Sequence, residues 1–289
     1  MIQINTKDYI YSKLDKIMLG GVTPRPIALA STIDKNGNPN LSPFSCFNTF
    51  GVNPSTLIFS PSRRGRDGSS KHTFENLKEV PEVVINAVTY SMVQQASLSS
   101  TEYPKGVNEF LKSGLTPIES VSVKPFRVKE SPFQLECRVR DIIETSGLPG
   151  SANLIICEAI TIHIDEKILD EDGIIDPQKL DIVGRLGSNY YVRASGDAVF
   201  SVTKPLTTIG IGVDSLPESV RMSKVLTGND LGILGNIESL PTSEELKQVI
   251  LPSDLASLTD KKEQVHHYAQ KLIAEKNVLE ALRVLVAFG

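Results

Sequence analysis

No apolar run in the 289-residue chain approaches the roughly 20 residues that a membrane-spanning helix needs. The first ten residues, MIQINTKDYI, lack the basic segment and apolar core of a secretory signal, so a cytoplasmic protein is expected. Basic residues are not in excess. Thirty Lys and Arg stand against 34 Asp and Glu, a net charge of −4, which argues against broad nucleic-acid binding. Cysteine is scarce: Cys46, Cys137 and Cys157 are far apart, odd in number and without the spacings that suit zinc. Cys137 and Cys157 lie in apolar strand-like runs, where a reduced thiol behaves as a small hydrophobe, and Cys46 is left open.

Other motifs fail on inspection. GIGVDS (210–215) has two glycines of a dinucleotide fingerprint but Ser215 in the third place, and no βαβ pattern follows. DEKILDEDGIID (165–176) imitates a calcium loop. With Gly173 at its sixth position, however, Ile168 and Lys179 fall where acids are needed, so a solvated turn is expected. His266 and His267 are adjacent on a helix and point about 100° apart, which suits surface histidines better than a metal pair. His163 sits on the polar side of a strand with no nucleophile near it in sequence. There is no Walker sequence and no GxSxG, and no metal site is expected.

What the chain does contain divides in two. The length suggests two domains, or one with a large appendage. PRPIALAST (24–32), TLIF (56–59) and EVVINAV (82–88) are compact apolar runs. FQLECRVR (133–140) alternates, with Phe133, Leu135, Cys137 and Val139 on one face and Gln134, Glu136, Arg138 and Arg140 on the other. ITIHID (160–165) turns Ile160, Ile162 and Ile164 inward by the same rule, and TSGLPGSA (145–152) reads as the hairpin loop between the two runs. DKNGNPN (34–40) carries an Asn-Gly tight-turn signal. Short strands with few helices between them favour an antiparallel barrel. Beyond Pro205 the pattern is helical. Thr242 with Glu245 has capping-box spacing, and Asp260 with Glu263 imitates it. Val265, Ala269, Leu272 and Ile273 line one face, and Leu279, Leu282 and Leu285 continue it. The expected division is a barrel domain over 1–204 and a helical extension over 205–289.

One stretch breaks the mild acidity. SPSRRGRDGSSKHT (60–73) sets Arg63, Arg64, Arg66 and Lys71 against the single acid Asp67, among four serines, a threonine and two glycines. Residues 69–80 read as a helix with Ser69 or Ser70 as N-cap, its first turn carrying Lys71 and His72. Cations are disfavoured at that already positive end unless an anion offsets them. Amides, hydroxyls and guanidinium groups together would make a phosphate pocket; a solvated basic loop is the alternative.

RPIALASTIDKNGNPNLSPFSCFNTFGVNPSTLIFSPS, then SSKHTFENL and EVVINAV, resembles the flavin reductase-like family of FMN-binding split barrels. STEYPKGVNEF, SPFQLECRV, NLIICEAITIHI and VGRLGSNYYVRA follow in the family's order, so the resemblance covers about residues 10–204. It implies a mainly β fold with α, an antiparallel FMN-binding split barrel of six-stranded type plus a C-terminal helical appendage. It also implies a homodimer with FMN near the interface. Ser45, Cys46, Phe47 and Asn48 would lie along the ring and ribityl chain, with Arg25 and Pro26 by the isoalloxazine. Ser60, Ser62, Arg64, Lys71 and Thr73 would surround the phosphate. Arg185, Gly187 and Tyr190 would approach the ring, in one arrangement from the partner chain. Two positions depart from the pattern: His72 stands where an acid is common, and Cys46 where an aromatic is.

The resemblance implies an FMN-dependent oxidoreductase passing electrons from NAD(P)H to a flavin or other small acceptor, with no general acid or base required. An FMN-carrying electron-transfer protein and a non-catalytic flavin-binding module with a partner-docking tail are the rival readings. A pyridoxamine-phosphate oxidase is a weaker one.

Overall fold

The computed structural model describes residues 1–257 and 261–289. Two compact units divide the chain, Met1–Phe200 and Ser201–Gly289. The first opens with helix α1 (Tyr11–Gly21), every residue of which is exposed or half-buried. Strands β1 (Ala28–Ile33), β2 (Pro39–Phe44), β3 (Phe47–Val52) and β4 (Ser55–Phe59) follow, then helix α2 (His72–Glu79) and strand β5 (Glu82–Asn86). Helices α3 (Val93–Leu98) and α4 (Glu109–Ser113) precede the short strands β6 (Pro117–Ile118) and β7 (Arg127–Val128). The long hairpin β8 (Phe133–Glu144) and β9 (Asn153–Ile164) comes next. Helix α5 (Pro177–Leu180) and strands β10 (Val183–Arg185) and β11 (Tyr191–Arg193) close the unit.

Seven strands form one antiparallel sheet in the order β2-β1-β5-β8-β9-β4-β3. Its two edge strands, β2 and β3, are consecutive in the chain and separated only by Ser45 and Cys46. One stretch of backbone therefore serves both edges, and the sheet must roll until they meet. That is a barrel, split where β2 and β3 share no ladder. It has seven strands where six are implied because the chain on either side of this two-residue seam pairs with a different neighbour.

β1 is buried on both faces. Ala28 and Ala30 face the barrel interior with Phe44, Leu57, Phe59, Ile85, Ile155 and both buried cysteines, a core that Phe74 and Leu77 of α2 complete. Leu29 faces outward, under Met92, Ala96 and Phe110 of the segment that carries α3 and α4.

The alternation of 133–140 holds for the inward face, but Gln134 and Glu136 are buried too, Glu136 completely. The segment after β6 covers them. Glu136 accepts from the Val121 and Ser122 amides at 2.9 and 2.6 Å and pairs with His163 Nε2 at 2.7 Å. Gln134 donates to the Val128 and Ser131 carbonyls. On β9 the expectation fails: Ile162 and Ile164 are exposed and Ile160 only half-buried. β4 pairs with β9 only as far as Glu158, so 160–164 continue past the layer that would have covered them.

In the second unit, helices α6 (Glu218–Arg221), α7 (Gly228–Gly235), α8 (Ser243–Lys247) and α9 (Ser253–Ala256) surround α10 (Lys262–Ala274) and α11 (Val278–Phe288). Thr242 and Glu245 form the expected capping box, Glu245 also binding Arg283 at 2.7 Å. Asp260 lies outside the described residues; α10 starts at Lys262 with Lys261 as N-cap. The apolar face is not one helix. Lys276, at φ 65°, turns the chain between α10 and α11, so Leu282 and Leu285 stay buried while Leu279 faces solvent. Of the histidine pair only His267 is exposed; His266 is buried and shares a 2.7 Å hydrogen bond with the Ser223 hydroxyl.

Candidate functional site

The seam organises one end of the barrel. The Cys46 carbonyl accepts from the Ser60 amide at 2.9 Å, tying the seam to the start of the basic loop. Ser60 and Ser62 share a hydroxyl hydrogen bond at 3.1 Å. On the other side, Arg25 Nε donates to Ser45 Oγ at 3.4 Å. Arg25 is buried, and the rest of its guanidinium caps the Leu19, Val22 and Leu186 carbonyls. Its backbone pairs with Arg185 in an antiparallel bridge. Arg25 thus ties two segments, the end of α1 and the 185–190 loop, to the seam at Ser45. Pro26 and Phe47 are half-buried, and Cys46 and Asn48 are exposed.

Gly187 packs against α1: a Cβ there would stand 3.0 Å from the Gly20 Cα. Arg185 lies 4.6 Å over the Tyr191 ring and donates to the Ser188 carbonyl. Tyr190 is 72 % exposed.

The basic loop is held by its own charges. Arg63 pairs with Glu144 at 2.9 Å, Arg64 with Glu102 at 3.3 Å, and Arg66 with both Asp67 and Glu102. The helix starts later than its sequence suggests. Ser69 spends its amide and hydroxyl on Asp67, Arg64 also holds the Ser69 hydroxyl and the Ser70 carbonyl, and the Ser70 hydroxyl accepts from Arg63, so neither serine caps α2. Lys71 is the N-cap residue, with no side-chain cap.

Lys71 is the exception among these cations. It is half-buried, its ammonium 5.1 Å over the Phe44 ring, with no carboxylate partner among the described residues. Burial, then the Arg64 charge, pushes its pKa below the ordinary lysine value. Beside it the His72 and Thr73 amides, at the start of α2, have no acceptor among the described residues. Thr73 faces inward: it is 1 % exposed and its hydroxyl accepts from Asn40 at 2.9 Å. It can offer an anion its amide more readily than its hydroxyl. Together with Asn40, Ser42, Glu102 and Glu109 these residues line a cleft of about 90 Å³. Burial raises the Glu109 pKa, against the Leu41 amide that donates to its carboxylate at 3.1 Å.

Tyr11 was given no role by the sequence, and nothing in its neighbourhood of the chain points to one. Its ring lies across Gly65 and Gly150: a Cβ at either would stand 2.7 or 2.0 Å from it. A larger hollow of about 460 Å³, at Arg127, Lys129 and His163, sits at the opposite end of the β8–β9 hairpin and touches none of the expected site residues.

Residues 19–180 match the flavin reductase like domain. The chain belongs to the flavin reductase-like family. An uncharacterized protein of Aquifex aeolicus is 38 % identical over 189 residues, 65 % of this chain and 94 % of that one. The crystal structure of nitrilotriacetate monooxygenase component B from Bacillus cereus matches with TM-score 0.65 and 27 % identity, over 70 % of this chain and 98 % of that one. The flavoredoxin of Desulfovibrio vulgaris shares the fold, with TM-score 0.54 and 22 % identity over 64 % and 93 %. The family match stops within the first unit, where every expected site residue lies. Membership supports a flavin-related oxidoreductase, and no helix among the described residues is long and apolar enough to cross a membrane.

Proposed function

We propose that the protein is an FMN-dependent oxidoreductase of flavin reductase type, taking electrons from NAD(P)H and passing them to a flavin or other small acceptor. The observation that carries this reading is Lys71. An ammonium that is half-buried and, among the described residues, has no carboxylate, beside two helix amides that have no acceptor there, is costly unless an anion completes it. A phosphate monoester fits that donor set. Lys71 and Arg64 would supply charge, Ser60 and Ser62 hydroxyls, and the His72 and Thr73 amides the remaining hydrogen bonds. Ser45, Cys46, Phe47 and Asn48 would border the ring, with Pro26, Arg185, Gly187 and Tyr190. Arg25, its donors already engaged, would act as a positioning residue that holds the seam.

When bound, FMN supplies the acceptance of electrons from a nicotinamide and their release to an acceptor. The chain's own part is to orient and desolvate. The visible spectrum of the purified protein, followed by anaerobic titration with NADH and with NADPH, tests the reading. Flavin absorbance bleached by either nicotinamide is expected. Bound flavin that neither reduces would instead indicate an electron carrier or a binding module. We further propose a homodimer through the barrel unit, in which the exposed Tyr190 reaches the partner's site. Sedimentation of a monomer under saturating FMN would refute it.

A further inference from the structure

We infer that Tyr11 makes the site selective for a flavin mononucleotide over a dinucleotide. The inference rests on the flavin reading above and adds to it a residue that closes the phosphate end.

Helix α1 is tethered at both ends. At its C-terminal end Arg25 holds the Leu19 and Val22 carbonyls, and Gly20 packs on Gly187, all beside the seam. At its N-terminal end the Tyr11 ring rests on Gly65, next in sequence to Arg64, and on Gly150 of the β8–β9 loop. Eleven helical residues span about 16 Å. The helix therefore runs from the residues expected at the ring to those expected at the phosphate. Gly65 has an ordinary backbone conformation, so the closeness of the phenol is the visible reason for a glycine there. Gly150, at φ +76°, needs glycine on both counts. Burial raises the Tyr11 pKa, with Asp15 and Cys46 adding to the shift.

Charge points the same way. Arg63 and Arg66 are paired with carboxylates, and Arg64 shares Glu102 while lining the cleft, so Lys71 and Arg64 are the cations the cleft can offer a ligand. A single phosphate matches that supply. A diphosphate would bring its second charge toward Glu102, which Arg64 and Arg66 hold beside the cleft, or else pass Gly65, where Tyr11 stands. Like charge on the Glu102 side and bulk on the Gly65 side would each oppose an adenylate.

Fluorescence titration of FMN and FAD against the full-length protein, Tyr11→Ala, Tyr11→Phe and Gly65→Ala tests this. The unaltered protein should prefer FMN by about tenfold or more, as bulk placed against a competing ligand does. Tyr11→Ala should tighten FAD until that preference is largely lost, with FMN affinity held within about threefold. Tyr11→Phe should keep the preference. Gly65→Ala, whose methyl displaces the ring, should lose it and serves if Tyr11→Ala does not fold. An FMN-to-FAD ratio unchanged in both Tyr11→Ala and Gly65→Ala overturns the inference and leaves the flavin reading intact. Binding of neither flavin by the unaltered protein overturns the flavin reading itself.

Discussion

Lys71 has the most to gain from a ligand. A charge-assisted hydrogen bond to phosphate is worth ~1.5–3 kcal/mol, or about ten- to more than a hundredfold in affinity. Lys71→Ala should weaken FMN by that factor and leave riboflavin, which lacks the phosphate, nearly unchanged; paired titrations read the difference. Because burial lowers the lysine's pKa, its ammonium is lost at lower pH than usual. FMN affinity should therefore fall as pH rises through that lowered value, while riboflavin affinity does not follow. In the ligand-free protein the sign reverses, since the unfolded chain holds the proton more tightly and stability climbs over the same range. The thiols make a separate test. The neighbouring Cys157 thiol, then burial, push Cys137 far up, and Cys157 is equally enclosed, whereas Cys46 is exposed. A thiol reagent should count one cysteine in the native protein and three after denaturation.

At the scale of elements, sequence pattern served best where burial alone decides. The first strand of the hairpin was legible because Phe133, Leu135, Cys137 and Val139 alternate inward, and the Thr145–Ala152 loop joins the two strands as expected. It misled where a distant segment intervened. Nothing local to Glu136 announces that Val121 and Ser122 will bind it, and nothing local to Ile162 announces that β4 stops short. Burial alone would raise the Glu136 pKa, but the amides and His163 outweigh it and the net shift is downward. Its contribution to stability is thus present above the ordinary carboxyl pKa and lost as pH falls toward the lowered one. Glu136→Gln should flatten that acid limb in pH-dependent melts. The start of α2 was misplaced for a similar reason: two serines that suit a cap were claimed by Asp67 and Arg64. The capping box of α8 met no such competition. Thr242→Ala should destabilise the second unit by roughly 1 kcal/mol, read by denaturant unfolding.

Over the whole molecule, the candidate site residues could be nominated together because they fall in three short stretches, 25–26, 45–73 and 185–190, which the fold brings to one end of the barrel unit. What remained hidden were contacts brought in by folding: Tyr11 from α1, Glu102 across from Arg64, and the fixing role of Arg25. All of these belong to the first unit. A chain ending after Pro205 should therefore stay folded and bind FMN as the full chain does. A folded fragment without affinity would assign the helices a part in the site.

The seam also fixes phase. Phe44 and Phe47 both turn into the barrel core although an unbroken strand would send residues three apart to opposite faces. Ser45 and Cys46 supply the one-step correction, so their number matters more than their identity. A glycine inserted between them has two outlets. It can invert the parity of β3 against β4, or bulge outward and carry Ser45 off Arg25. Either outcome should abolish flavin binding, whereas Cys46→Ser, which keeps the count, should retain it.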